Sequence, residues 1–230
     1  MGMTETALII GAGSGLSASL ARKLSAAGWD LALAARNTDK LAPLATETRA
    51  TLHACDAADV EGVAALFAGL DAAGRTPSLV IYNPSFRVRG PVASLDPEQV
   101  RRTLEVCAFG AFLAAQQAAS RMLAAGRGTI FFTGASAGVK GFPESAPFAM
   151  GKFALRGLAE SMARELHPKN IHICHFVIDG GIASATRVAA PGADSLLDPD
   201  AIADAYLHVL AQPRSAWSSE MALRPWVEKF

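Results

Sequence analysis

Short apolar runs alternate with helical patterns along the whole chain. TALIIG (Thr6–Gly11) is an unbroken apolar run ending in glycine; beyond it Leu16, Leu20, Ala21 and Leu24 share one helical face, and Gly28 closes that helix. DLALAAR (Asp30–Arg36) predicts a second strand and Asp39–Arg49 a second helix. Further strands are expected at Thr51–Cys55, Ser78–Tyr82, Gly128–Gly134 and Asn170–Ile178, with a short last one near Ser219–Leu223. Helices are expected over Val60–Ala73, from Pro97 to about Ala125, over Pro143–His167 and over Asp198–Gln212. Asp96, Pro97 and Glu98 give an N-cap, a first-turn proline and an early acid to the long helix that starts there.

Strands that are apolar at every position are covered on both faces, as in a parallel sheet between helices. With regular strand–helix alternation this predicts a three-layer α/β/α doubly wound parallel sheet of Rossmann type, with about seven strands. No repeat, low-complexity tract or linker divides the chain, so one domain over residues 1–230 is expected.

Composition narrows the function classes. Hydrophobic residues make up 51% and charged residues 18% of the chain, which suits a well-buried core. The 21 basic and 21 acidic residues cancel, so there is no electrostatic case for nucleic acid or an anionic membrane. No apolar run reaches the roughly 18 residues of a membrane helix. Cys55, Cys107 and Cys174 are few and scattered, which argues for a reducing cytoplasm and no disulfide framework. The five histidines lack metal-ligand spacing, and no metal is expected. MGMTET matches a loose N-myristoylation pattern through Gly2 and Thr6, but the first strand follows at once and leaves almost no tether. Trp226 and Phe230 are too apolar for a free tail and are expected to pack on the domain or on a neighbouring subunit.

GAGSGLS (Gly11–Ser17) lies between the first strand and first helix, where backbone N–H groups and a positive helix end can meet a dinucleotide pyrophosphate. Its spacing fits G-x-x-x-G-x-G, with Ser17 last and Leu16 between, better than G-x-G-x-x-G. Four more motifs follow in order: CDAAD with Asp56 after the third strand, YNPS with Asn83 after the fourth, Phe148-x-x-x-Lys152, and DGGIAS with Gly180 and Ser184 after the sixth. In order and spacing these five resemble the short-chain dehydrogenase/reductase family along nearly the whole chain.

The resemblance implies an oxidoreductase with a nicotinamide cofactor at the Gly11, Gly15 and Leu16 turn. It further implies Asp56 at the adenine, Asn83 along the ribose chain, Lys152 at the ribose hydroxyls, Ile182 at the carboxamide and Ser184 at the pyrophosphate or carboxamide. The second strand ends in Ala35 and Arg36 rather than an acid, so a 2′-phosphate suits it better than a free 2′-hydroxyl, with Ser14 in the turn and Asn37 adding neutral hydrogen bonds. NADP(H) is therefore expected over NAD(H). By the same resemblance the protein is a homodimer or homotetramer, associating through its fourth and fifth helices and last strand.

The catalytic pattern departs from the family. Phe148 stands at the tyrosine position, Ala135 at the serine 13 residues earlier, and Cys107, in VCAFGAF, at the helical asparagine; only Lys152 is kept. Three explanations follow: another proton donor (Ser136, Ser145, Tyr82, Glu144 or Lys152), a substrate needing little acid help such as an activated C=C or C=N bond, or a catalytically inactive NADP(H)-binding sensor or scaffold. Arg87 and Arg89 either hold an anionic substrate or form a solvated basic loop, and Asp179 either borders the ligand crevice or caps a turn.

Overall fold

The computed structural model describes residues 5–190 and 194–228. Its strands are β1 (Thr6–Ile10), β2 (Asp30–Ala35), β3 (Thr51–Ala54), β4 (Leu79–Tyr82), β5 (Gly128–Thr133), β6 (Ile171–Ile178) and β7 (Glu220–Leu223). They form one sheet in the order β3-β2-β1-β4-β5-β6-β7, every neighbouring pair parallel. The helices are α1 (Leu16–Ala26), α2 (Ala42–Thr48), α3 (Val60–Ala72), α4 (Pro97–Leu104), α5 (Gly110–Ala125), α6 (Ala146–Leu166) and α7 (Pro199–Leu210). The strand order reverses between β1 and β4, which opens a crevice at their carboxyl ends.

Period-two alternation sends strand side chains to two cores. Leu8, Ile10, Val80 and Phe132 meet Phe67 and Leu155 on one face. Ile9, Ile81, Phe131 and Phe176 meet Leu20 and Tyr206 on the other. Each such side chain taken from water contributes about 1.5–3 kcal/mol, so a strand with every residue buried, as in β1 and β4, is held from both sides. The Asp96 carboxylate accepts from the Glu98 N–H at 3.0 Å, and Asp198 does the same for Asp200 at 2.8 Å, fixing the starts of α4 and α7.

Two expected helices differ. The Asp39–Arg49 segment opens with a 3₁₀ turn, Asp39–Leu41, before α2. The long helix from Pro97 to Ala125 is broken by a π turn, Glu105–Phe109. There the Gly110 N–H reaches back five residues to the Glu105 carbonyl. The Val106 carbonyl is thereby freed and accepts from the Tyr82 Oη at 2.6 Å. A hydrogen bond from another element thus takes the place of one ladder bond.

Among the described residues no helix is long and apolar enough to cross a membrane. Gly2 and Phe230 lie outside the described residues. Trp226 is 78% exposed, so the expectation that it packs on its own domain is not met.

Candidate active site

Gly11 ends β1 with φ +79°, a conformation that side chains disfavour, and a Cβ there would stand 2.6 Å from the Pro84 nitrogen. The turn is braced from both sides. Gly11 and Ala12 donate to the Ala34 carbonyl at 2.9 and 3.0 Å. Ser17 Oγ donates to the Gly11 carbonyl at 3.1 Å and itself accepts from Asn83 Nδ2 at 2.7 Å. Asn83 therefore supports the turn as well as bordering the crevice. No side chain caps α1 and no acid lies in its first turn. Next to it, Gly13 and Gly15 face open space. A positive helix end behind a bare backbone suits a pyrophosphate.

The crevice has three parts, and Asn83 borders all of them. The first, about 660 Å³, is lined by Gly11, Ala35, Arg36, Asn37, Asp56 and Val106. Arg36 forms no ion pair among the described residues, and the Asn37 Oδ1 accepts from the Asp39 N–H at 2.9 Å. Asp56 accepts from the Ala58 N–H at 3.0 Å and from Arg102 Nη2 at 2.6 Å. Burial pushes its carboxyl up, but these two partners outweigh that and hold it below the ordinary carboxylate value. Arg102 was not singled out in the sequence, because its pairing with Asp56 depends on how α4 crosses the loop after β3.

The second part, about 230 Å³, lies against the start of α1, between Gly13, Gly15, Leu16, Ile182 and Ser184. Ser14, expected to touch the cofactor, is exposed and lines none of the three parts. It sits at the outer tip of the turn.

The third part, about 340 Å³, is lined by Ala135, Ser136, Phe148 and Lys152 and also by Arg87 and Arg187. Lys152 is 2% exposed, and its Nζ donates to the Thr133 carbonyl at 2.8 Å. Burial lowers its pKa from the ordinary lysine value. Phe148, one turn earlier on α6, packs on Ala135, Ala137 and Cys107. Two cations approach its ring, Arg87 Cζ at 5.2 Å from the centroid and Lys152 Nζ at 5.7 Å. Gly151 lets α6 close on the π turn, since a Cβ there would lie 2.8 Å from Cys107 Cβ. The fold thus gathers Lys152, Phe148, Ala135 and Cys107 in one place. Cys107 lies beneath the others, fully buried, its Sγ donating to the Phe86 carbonyl at 3.5 Å.

Of the candidate proton donors other than Lys152, only Ser136 lines this part. Tyr82, the last residue of β4, turns its side chain into the core and is committed to Val106, and burial raises its pKa far above the ordinary phenol value. The Ser145 Oγ is buried without a partner but does not reach the crevice, and Glu144 is exposed outside it. Asp179 is buried between Lys140 Nζ at 3.7 Å and Arg224 Nε at 3.6 Å, which makes it an anchor for the segment after β6 rather than part of the crevice wall. Arg89 does not line the crevice, whereas Arg187, overlooked in the sequence, does. Among the described residues no group of three His, Cys, Asp or Glu side chains stands together as a metal site.

The comparisons with known proteins agree with this architecture. The sequence model described as short chain dehydrogenase matches residues 5–192. The trans-4-hydroxycyclohexanecarboxylate dehydrogenase of Sinomonas cyclohexanicum is 32% identical over 181 residues, covering 74% of this chain and 69% of that protein. A crystal structure of a short-chain dehydrogenase from Rhodopseudomonas palustris superposes with a TM-score of 0.83 at 36% identity, over 96% of this chain and 99% of its own. A metagenomic short-chain oxidoreductase solved in complex with NADP gives a TM-score of 0.83 at 28% identity, over 97% and 98% of the two chains. Sheet order, glycine turn and family match converge: the chain belongs to the short-chain dehydrogenase family of NAD(P)-binding oxidoreductases.

Proposed function

We propose that the protein is an NADP(H)-dependent oxidoreductase acting on a small molecule without the tyrosine acid usual in its family. The observation that carries this is Arg36 at the tip of β2, beside a cavity wide enough for a nucleoside and with no acid at that strand end. NADP in the related metagenomic oxidoreductase supports the cofactor, and the named activity of the Sinomonas relative supports dehydrogenase chemistry.

In this reading Gly11, Gly15 and Leu16 receive the pyrophosphate, Arg36 and Asn37 the 2′-phosphate, and Asp56 the adenine. Asn83 and Lys152 hold the riboses, Ile182 the carboxamide and Ser184 the neighbouring phosphate or amide. The bound nicotinamide supplies or takes up hydride. Phe148, Ala135 and Cys107 occupy the tyrosine, serine and asparagine positions and offer no hydroxyl or amide there. The proton then comes from Ser136, Lys152 or solvent, or the substrate is an activated C=C or C=N bond for which positioned hydride transfer is enough. The same three residues favour a second reading, a cofactor-binding sensor or scaffold that turns nothing over. A cytoplasmic homodimer or homotetramer suits both, given three buried free cysteines and the exposed apolar side chains of Phe109, Phe112 and Phe153.

Calorimetric titration with NADPH and NADH tests the cofactor. NADPH should bind at least about tenfold tighter, and Arg36→Ala should erase the difference, since charge-assisted bonds to a phosphate contribute about 1.5–3 kcal/mol. Binding of neither cofactor below roughly millimolar would remove both readings. A substrate screen following NADPH absorbance separates enzyme from sensor.

A further inference from the structure

We propose that the third part of the crevice takes its small molecule by a carboxylate or phosphate group clasped between Arg87 and Arg187. The inference rests on the cofactor reading only in placing this group beside the nicotinamide. Arg87 comes from the loop after β4 and Arg187 from the segment after β6, so two separate pieces of chain bring cations to one cavity. With Lys152 the lining holds three cations and no carboxylate. Neither arginine has an acidic partner among the described residues. Arg87 is pushed toward losing its proton by burial first and then by the charges of Arg89 and Arg187. Both arginines are exposed to solvent, so their mutual repulsion is screened and small, and an anion set between them relieves it.

Both guanidinium groups have supports that leave them available. Arg87 lies over the Phe148 ring at 5.2 Å. Phe148, which has no proton to give, thereby acts as a shelf for a substrate-holding cation. The base of Arg187 is fixed by its N–H donating to Ser184 Oγ at 3.1 Å and by its carbonyl accepting from the Ser184 N–H at 2.9 Å. Its Nη1 lies against the Gly181 backbone, 3.3 Å from where a Cβ would be. Lys152 is engaged by the Thr133 carbonyl and, in the cofactor reading, by a ribose, which leaves the two arginines as the cations open to a substrate anion. The remaining wall is largely apolar, with Phe142, Ile178 and Ile182. An apolar body with one anionic end fits about 340 Å³. The cofactor's pyrophosphate does not compete for these arginines, because the part beside α1 is lined by neither of them.

The test uses the full-length protein saturated with NADP⁺, titrated by calorimetry with benzoate, phenyl phosphate and neutral benzamide. At least one anion should bind about tenfold or more tighter than benzamide, and the better one identifies the group. Arg87→Met and Arg187→Met should each weaken that anion by about tenfold or more, with Gln variants in their place if Met prevents folding. Arg89→Met should change it by less than about threefold, and NADP⁺ affinity should hold within the same margin in all variants. The proposal is overturned if benzamide binds as well as both anions, if neither anion binds, or if anion affinity survives both arginine changes. It is also overturned if NADP⁺ weakens in step with the anion, which would give the arginines to the cofactor. Should wild type fail to bind NADP⁺, the cofactor reading falls. The anion titration on the free protein then decides this proposal separately by the same arginine dependence.

Discussion

Phe148 and Lys152 share one face of α6, yet their surroundings give them different work. The lysine is buried with a carbonyl partner and no acid, while the phenylalanine ring receives two cations. On the proposed reading, introducing Phe148→Tyr together with Ala135→Ser should raise carbonyl reduction by NADPH about 10²–10⁴-fold, the usual worth of a positioned general acid. A steady-state screen of simple ketones reads this. NADPH binding without any gain would mean the cavity has diverged along with the acid. Much of the candidate site was legible in the sequence, since Gly11, Asn83, Phe148, Lys152 and Ile182 stand in ordered motifs tied to strand ends. Arg187 and Arg102 were not, because nothing in their local spacing tells which loop they face. Tyr82 and Ser14 look as suitable in the sequence as any crevice residue. Side-chain direction alone turns one into the core and leaves the other outside.

At the level of elements, β7 depends on a tie that crosses three of them. The His175 Nδ1 of β6 lies 3.0 Å from Glu220 Oε2 of β7, and Arg156 of α6 pairs with both Glu220 oxygens at 2.7 and 2.9 Å. Burial lowers the His175 pKa despite Glu220, with Lys152 and Arg156 adding to the fall. Burial pushes Glu220 up, but Arg156 and His175 outweigh it and leave it lowered. Both shifts have the same sign for stability. The unfolded chain takes up these protons first, so the contribution of His175 is complete above its ordinary value of 6.5 and is lost as pH falls toward the folded pKa. That of Glu220 is complete above 4.5 and fades below it. The melting temperature should therefore drop from pH 7.5 to pH 5, and His175→Gln should make the drop shallower. His53 and His172 are lowered too, so a slope should remain. Glu220→Gln should cost about 1 kcal/mol at pH 7 in urea unfolding, its half-exposed pairs being screened by solvent. The central strands β1, β2, β4, β5 and β6 were readable to within a residue or two at each end because both faces are largely apolar, and the half-exposed β3 and β7 because turn residues bound them. The π turn was not, because it exists through a phenol reaching across from β4.

The whole molecule presents apolar side chains that a lone chain does not need. Phe109 and Phe112 stack at 6.3 Å between ring centroids, both exposed, and Met150 and Phe153 are exposed on α6. A contiguous exposed apolar patch is normally covered by a partner, and we propose that these side chains contribute to one. Sedimentation should find a dimer or tetramer at micromolar concentration, and Phe112→Glu with Phe153→Glu should shift it to monomer while NADPH binding persists. A wild-type monomer would count against association through this face. The overall architecture was open to reading from alternation alone, since apolar strands separated by helices admit few arrangements other than a parallel sheet with a reversal in its order.

The π turn also sets a constraint on length. It gives the rod from Pro97 to Ala125 one residue more than an unbroken ladder needs for that turn. Losing one residue of Glu105–Phe109 would restore a regular ladder and leave α5 nearly in phase with α4, since the five residues of a π turn cover about the rotation that four cover in an α-helix, but it would remove the gap in the ladder at Val106. Tyr82 would lose its acceptor, because the Val106 carbonyl would return to the helix ladder. A substitution at the exposed Phe109 can be absorbed, whereas a deletion leaves the buried Tyr82 hydroxyl without its partner at a cost of about 1–3 kcal/mol. Related chains should accordingly vary here in residue type and hold constant the number of residues between the Asp96 cap and the glycine at 110.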